Sequence, residues 1–228
     1  MQLITFGDLH FRRTFFEFVA RVVAEDRFDA VCLAGDFLDA HPNAAVALPR
    51  QVEWVVDWFE KLHVGGRTRV FAVSGNHDWC PDKPNDEAGW LQRARRPGIA
   101  IDGDVVAVAG FNVVCRPWVG EIEPPPGPTV LLAHAPPEGA DVANRRGWDA
   151  GGDYSTRLVA ESLQGTGGIV LSGHVHEPDE WIAYVGDVAC FNPGCDLMAR
   201  VPRHVVIDTV ARRAEFVTAE GVVGPVAF

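Results

Sequence analysis

Five short apolar runs in this chain end on residues that bind metals or carry protons. QLITFG leads into Asp8-Leu9-His10, AVCLAG into Asp36, RVFAVSG into Asn76-His77-Asp78, TVLLA into His134, and IVLSG into His174-Val175-His176. Continuous apolar runs of this length, bounded by glycine and polar residues, read as strands buried on both faces. In open α/β sheets the carboxyl ends of such strands lie along one edge, where ligands gather. One Asp or His at a strand end is ordinarily a satisfied polar residue, but the same chemistry after run upon run is not explained that way. The chain is therefore expected to fold so that these strand ends converge.

What separates the runs sets the architecture. TFFEFVARVVAED follows the first run, and RQVEWVVDWFEKLH begins just after Pro49. In the second of these, Val52, Val55, Val56 and Phe59 recur at helical spacing, Pro49 suits a first turn and Gly65-Gly66 supplies the stop. Strand alternating with helix implies parallel pairing through right-handed crossovers. From Asp102 onward the pattern becomes hairpin-like, with DVVAVAGFNVV, WIAYVGDVACF and RHVVIDTVARRAEFV turning at Gly110, Gly186-Asp187 and Ala211-Arg212. A further helix is expected over Ser155 to Leu163, with Ser155 or Thr156 near its N-terminus. Pro81 to Asp86 and the proline-rich EIEPPPGPT ending at Thr129 read as loops. With no repeat and no convincing boundary in 228 residues, the expectation is a single domain. Its architecture would be an α/β sandwich of two sheets flanked by helices, the second sheet more antiparallel than the first.

Charge and cysteine usage bound the partners. Lys and Arg number 20 against 31 Asp and Glu, so the formal charge of -11 repels polyanions and argues against an extended nucleic-acid surface. The five cysteines form no CxxC pair, and Cys32, Cys115 and Cys190 sit in apolar runs, which suits a reducing compartment. The opening MQLITFGDLH resembles no leader, and no apolar stretch approaches the ~20 residues of a membrane span. These features lead to the expectation of a cytoplasmic protein that does not enter a membrane. Nothing in the pattern speaks to oligomeric state.

The donors gathered by the five runs are oxygen and nitrogen without thiolate, which suits manganese, iron, zinc or cobalt and not a structural zinc knot. Seven ligands are too many for one ion and about right for two that share a carboxylate. In extended chain, residues i and i+2 point the same way, so His174 and His176 could reach one small target together. Taken in order, GDLH, GDF, GNHD, a lone histidine after a strand, and GHVH resemble the calcineurin-like metallophosphoesterases, and the resemblance runs from Met1 to about Gly194. It implies that Asp8, His10 and His176 hold one metal, that Asn76, His134 and His174 hold the other, and that Asp36 bridges them. The implied cofactors are two divalent or trivalent ions, manganese or iron before zinc or cobalt. On this reading His174 and His176 serve different ions. The resemblance also implies that His77 protonates the leaving oxygen, and that Asp78, standing where many relatives have Glu, orients His77.

After GDF the chain reads LDAHP and lacks the DRG segment of the phosphoprotein phosphatases. LLAHAPPEGADVA, GWDAGGDYSTRLVAESL, GHVHEP and FNPG look instead like the Icc-related phosphoesterases, a branch similar to class III cyclic-nucleotide phosphodiesterases. Cys195 stands where those relatives often show Ser, which removes a good hydroxyl donor from that loop. The implied activity is hydrolysis of a small phosphodiester, such as a cyclic or linear nucleotide, by metal-bound hydroxide. A phosphomonoester or dinucleotide polyphosphate ranks next as substrate, and DNA after those. A non-catalytic scaffold of the same fold, like the retromer subunit, ranks last because the chain keeps His77 and the full ligand set. Trp79, Trp118 and Trp148 are candidates to line a substrate cleft, and Arg12 and Arg13 to touch phosphate. His41, His63 and His204 lie outside the motifs and carry no assigned role.

Overall fold

A computed structural model describes residues 1–79 and 88–228, so the expected loop from Pro81 to Asp86 lies outside the described residues. The first half of the chain runs β1 (Gln2–Phe6), α1 (Arg13–Ala24), β2 (Ala30–Leu33), α2 (Leu48–Lys61), β3 (Arg69–Ala72), β4 (Ile99–Ala100), β5 (Val105–Val108) and β6 (Phe111–Cys115). It continues with β7 (Thr129–Leu132), β8 (Asn144–Arg145), β9 (Trp148–Asp149), α3 (Tyr154–Ser162), β10 (Ile169–Leu171), β11 (Ile182–Val185), β12 (Val188–Phe191), β13 (His204–Asp208), β14 (Arg213–Thr218) and β15 (Gly221–Ala227).

Four layers result. A seven-stranded sheet in the order β15-β14-β13-β1-β2-β3-β4 faces a six-stranded sheet in the order β11-β12-β10-β7-β6-β5. The period-2 alternation of β2 shows how one strand serves two layers: Val31 and Leu33 pack toward α1 and α2, while Ala30 and Cys32 enter the core between the sheets. Helix α1 buries Phe15, Phe16, Val19, Val22 and Val23, and α2 buries Val52, Val55, Val56 and Phe59 on the same outer face. Burying each such side chain is worth about 1.5–3 kcal/mol. On the far side, Ala160 and Leu163 close a third core over Val114, Leu131, Val170 and Cys190.

The expectation that the second sheet is the more antiparallel is corrected. Parallel pairs β6-β7, β7-β10 and β10-β12 form the body of that sheet, and only its edges β5 and β11 are antiparallel. The C-terminal hairpin joins the first sheet instead, because β1 has an open edge on which β13 pairs from Gln2 opposite Asp208 to Phe6 opposite His204. Helix α3 begins at Tyr154, one residue before the expected start, with Ser155 and Thr156 in its first turn as expected. Asp153 caps it, accepting from the Thr156 backbone N–H at 2.6 Å and from its hydroxyl at 2.8 Å. What matters for function is direction: β1, β2 and β3 of one sheet and β7 and β10 of the other all end at the same rim.

Candidate metal centre

Asp8 and Asp36, the polar residues that follow β1 and β2, are both buried. Their two loops are tied together by main chain, with Leu9 and His10 N–H donating to the Asp36 carbonyl at 3.0 and 2.8 Å. His10, Asp36 and His174 all have positive φ, at 40°, 50° and 67°. Non-glycine residues rarely adopt this region, and such outliers cluster where surrounding structure over-determines them for function. Gly75 is required by close approach: a Cβ there would lie 2.2 Å from Asp36 Oδ1.

The expected donors come together. His10 Nε2 lies 2.9 Å from His176 Nε2 and 3.8 Å from Asp36 Oδ2. His134 Nε2 lies 3.3 Å from Asp36 Oδ1, 3.8 Å from Asp8 Oδ1 and 2.9 Å from Asn76 Oδ1. His174 reaches this second group through its ring, with centroid 5.0 Å from that of His134. His134 Nδ1 is committed to the Ala34 carbonyl at 2.6 Å, which orients the ring with Nε2 toward the carboxylates. Burial alone would lower the pKa of His134; the Asp36 carboxylate, then Asp8, more than offsets that and pushes it up to about 9. Burial lowers the pKa of His10 and of His174 against the pull of the same carboxylates. Burial would raise Asp36, but His134, His10 and His77 together hold it below the usual carboxylate range.

This donor set fits metal ions. Two buried carboxylates face several imidazole lone pairs at distances that cations close, in a mixture of hard oxygen and borderline nitrogen donors without sulfur. Asp8, His10 and His176 form one group able to hold an ion, and Asp8, Asp36 and His134 another. Both carboxylates therefore stand between the groups, so sharing is not confined to Asp36.

His77 sits at the mouth with its side chain 34% exposed, its Nε2 4.0 Å from Asp36 Oδ2 and its backbone N–H donating to Asp36 Oδ1 at 2.8 Å. With His10 and Asp36 it also makes a ligand-capable group, so distance alone does not separate a proton donor from a ligand. Asp78 does something other than orient His77. Its Oδ1 accepts from the backbone N–H groups of Phe37 and Leu38 at 2.8 and 3.1 Å, and its Oδ2 from that of Gly75 at 2.8 Å. His77 Nδ1 is buried without a hydrogen-bond partner among the described residues. Asp78 is thus a clasp between the Asp36 and Asn76 loops, where the sequence reading expects it to orient His77.

Around the rim, the Trp118 ring lies 5.4 Å from His134 and 5.5 Å from His174, while Trp79 and Trp148 are largely exposed. Arg13 lies over Phe11 and Trp54 instead of facing the donors, and Arg12 precedes α1 in extended conformation. His204 is buried against Phe6 and Phe18. Sequence reasoning missed the part played by Cys195. Its thiol takes the donor role expected of a hydroxyl, with Sγ 3.3 Å from the Asp8 carbonyl.

Residues 1–178 match the sequence profile of the family described as calcineurin-like phosphoesterase. No curated protein matches the chain. Among solved structures, an archaeal phosphodiesterase is 18% identical with a TM-score of 0.54, alignment covering 95% of this chain and 99% of that one. TT1561 of Thermus thermophilus is 15% identical with a TM-score of 0.62, over 96% and 98% of the two chains. YfcE, an E. coli phosphoesterase, is 16% identical with a TM-score of 0.51, over 100% and 99%. At these identities the likeness is one of fold, and it extends over the whole length of each.

Proposed function

Because the chain belongs to the calcineurin-like phosphoesterase family, and so to a group of metal-dependent phosphoester hydrolases, we propose that it hydrolyses a small phosphodiester, such as a cyclic or linear nucleotide, at a centre of two metal ions. The observation that carries this reading is the convergence of Asp8, His10, Asp36, Asn76, His134, His174 and His176 from strands of both sheets, with the carboxylates lying between two groups of imidazoles. Asp8, His10 and His176 would hold one ion and Asn76, His134 and His174 the other, with Asp36 available to both. Manganese or iron suits the donors. Cations bound there would supply Lewis-acid polarisation of the phosphoryl oxygens and make water acidic enough to attack near neutral pH.

The remaining work belongs to side chains. His77 stands at the mouth, pinned through its backbone to Asp36, with Nε2 free to give a proton to the leaving oxygen. Asp78 holds the two loops that carry Asp36 and Asn76. The Trp118 ring packs against His134 and His174, at 5.4 and 5.5 Å between centroids. The overall charge of -11 repels an extended polyanion, which favours a small ester drawn in by the local positive centre. Four described cysteines are buried free thiols, which supports a reducing compartment such as the cytoplasm, and no described helix is long and apolar enough to cross a membrane.

The test is a panel of phosphomonoesters, linear and cyclic phosphodiesters and a dinucleotide polyphosphate, assayed on protein reconstituted with manganese, iron, zinc or cobalt. Preferential turnover of diesters is expected. A monoester or polyphosphate preference would replace the diester reading, and the absence of turnover on every ester would overturn hydrolysis itself.

A further inference from the structure

The backbone at His174 forms a turn of an unusual kind. Val175 N–H donates to the Gly173 carbonyl at 2.8 Å, so His174 is the central residue of a three-residue turn, and its φ of 67° makes it the strained form with positive φ. The turn separates two histidines that extended chain would direct the same way. The ring of His174 swings beside His134, at 5.0 Å between centroids, whereas His176 Nε2 reaches His10 Nε2 at 2.9 Å. Something must hold this conformation, because the ordinary right-handed and extended regions are open to histidine elsewhere.

Asn192, at the end of β12 and completely buried, is placed to do so. Its amide nitrogen lies 2.9 Å from the Gly173 carbonyl and 3.1 Å from that of Val175, the two carbonyls that flank His174. The same nitrogen lies 3.1 Å from the Val142 carbonyl, on the segment leading into β8, and Oδ1 accepts from Gly194 N–H at 2.8 Å. The brace continues through Cys195, whose N–H donates to the His176 carbonyl at 2.8 Å. A carboxamide offers two N–H bonds, and here they are shared among three main-chain oxygens, two of which belong to the residues on either side of His174. Aligning the carbonyls before and after His174 on one donor fixes the turn between them.

We propose that Asn192 is a positioning residue whose amide holds His174 in the strained turn and thereby divides His174 and His176 between the two metal positions. The inference rests on the two-metal reading above. Without the amide donors, His174 relaxes toward an ordinary φ, its ring leaves His134, and the protein keeps one tight metal position instead of two.

Asn192→Asp tests this, since it keeps the shape and the acceptor for Gly194 while removing the N–H donors. Chelated protein is titrated with Co²⁺, following heat and the visible spectrum. Wild type is expected to bind two equivalents; the variant should retain one step and show the other weakened by roughly 10–100-fold, as for lost orienting partners of a ligand. Phe59→Leu, in the helix-side core, serves as a control for lost stability and should leave both steps unchanged. The strain itself is read without metal, by unfolding in chelator: in wild type the relaxation of His174 offsets part of the lost hydrogen bonding, so Asn192→Asp should cost more stability in the His174→Gly background, where there is little strain to release, than in wild type. That background also keeps the test readable if the single variant does not fold. A wild type binding one equivalent overturns the two-metal reading. Two equivalents with unchanged affinities in Asn192→Asp, or equal stability costs in both backgrounds, overturns the role of Asn192.

Discussion

His134 presents Nε2 to the Asp36 carboxylate across 3.3 Å, joining the ends of two strands that belong to different sheets. That single approach ties the first sheet to the second at the rim and places an imidazole lone pair and a carboxylate oxygen in range of one cation. The consequences can be measured at each residue around it.

Asp36→Asn keeps the volume and removes the negative charge between His10 and His134. Metal affinity and turnover should fall together, and by more than the ~10–100-fold that loss of an outer partner costs. Metal content after dialysis, measured with kcat/KM on the same preparation, checks this; near-normal values of both would remove Asp36 from the ligand set.

His77→Gln removes a proton donor at the mouth of the site. Both metals should remain bound, and hydrolysis of an alkyl or nucleoside diester should slow by roughly 10²–10⁴-fold. A nitrophenyl diester, whose leaving group needs little protonation, should be far less affected. Loss of a metal would instead place His77 among the ligands, as its distance to Asp36 permits.

Asp78→Asn breaks the clasp between loops. Three backbone N–H groups converge on the two carboxylate oxygens, and an amide would set its own NH₂ against at least one of them. A buried donor left unsatisfied costs about 1–3 kcal/mol, so urea unfolding should show that loss with metal affinity reduced as well. Unchanged stability would mean the loops are held by other contacts.

Asp102 lends itself to a pH test away from the donors. Burial pushes its pKa up to about 6, with Asp104 adding to this and the Ser74 backbone N–H, 2.8 Å from Oδ1, working against it. A raised carboxylate pKa means the folded state binds the proton more tightly, so the penalty is absent at low pH, accrues as pH rises through the carboxylate range and is complete above about 6. Asp102→Asn can still accept from Ser74 and avoids that penalty. Its stability relative to wild type should improve by on the order of 1–3 kcal/mol between pH 4 and pH 7.5, by denaturant unfolding in chelator. A constant difference across that range would show that Asp102 ionises freely in the folded protein.

Much of this molecule was legible in its sequence, for a local reason. Apolar runs ending in Asp8, Asp36, Asn76, His134 and His174 announce buried strands with ligands at their tips, because strand burial and the residue that follows a strand are both properties of contiguous chain. The helical faces of α1 and α2 were readable on the same grounds, as were the turns at Gly110 and Gly186. What only the tertiary structure decided were relationships between segments far apart. Whether the last hairpin would pair with β1 or complete the second sheet depended on which edge was left open. Whether Asp78 would turn to His77 or to the Phe37 and Leu38 backbone depended on which unpaired N–H groups lay nearest. The direction of His174, finally, was set against the local alternation of extended chain by hydrogen bonds from Asn192 to the carbonyls on either side of it. No pattern of residue types records such bonds, since any backbone carbonyl can accept them and only folding brings one within reach.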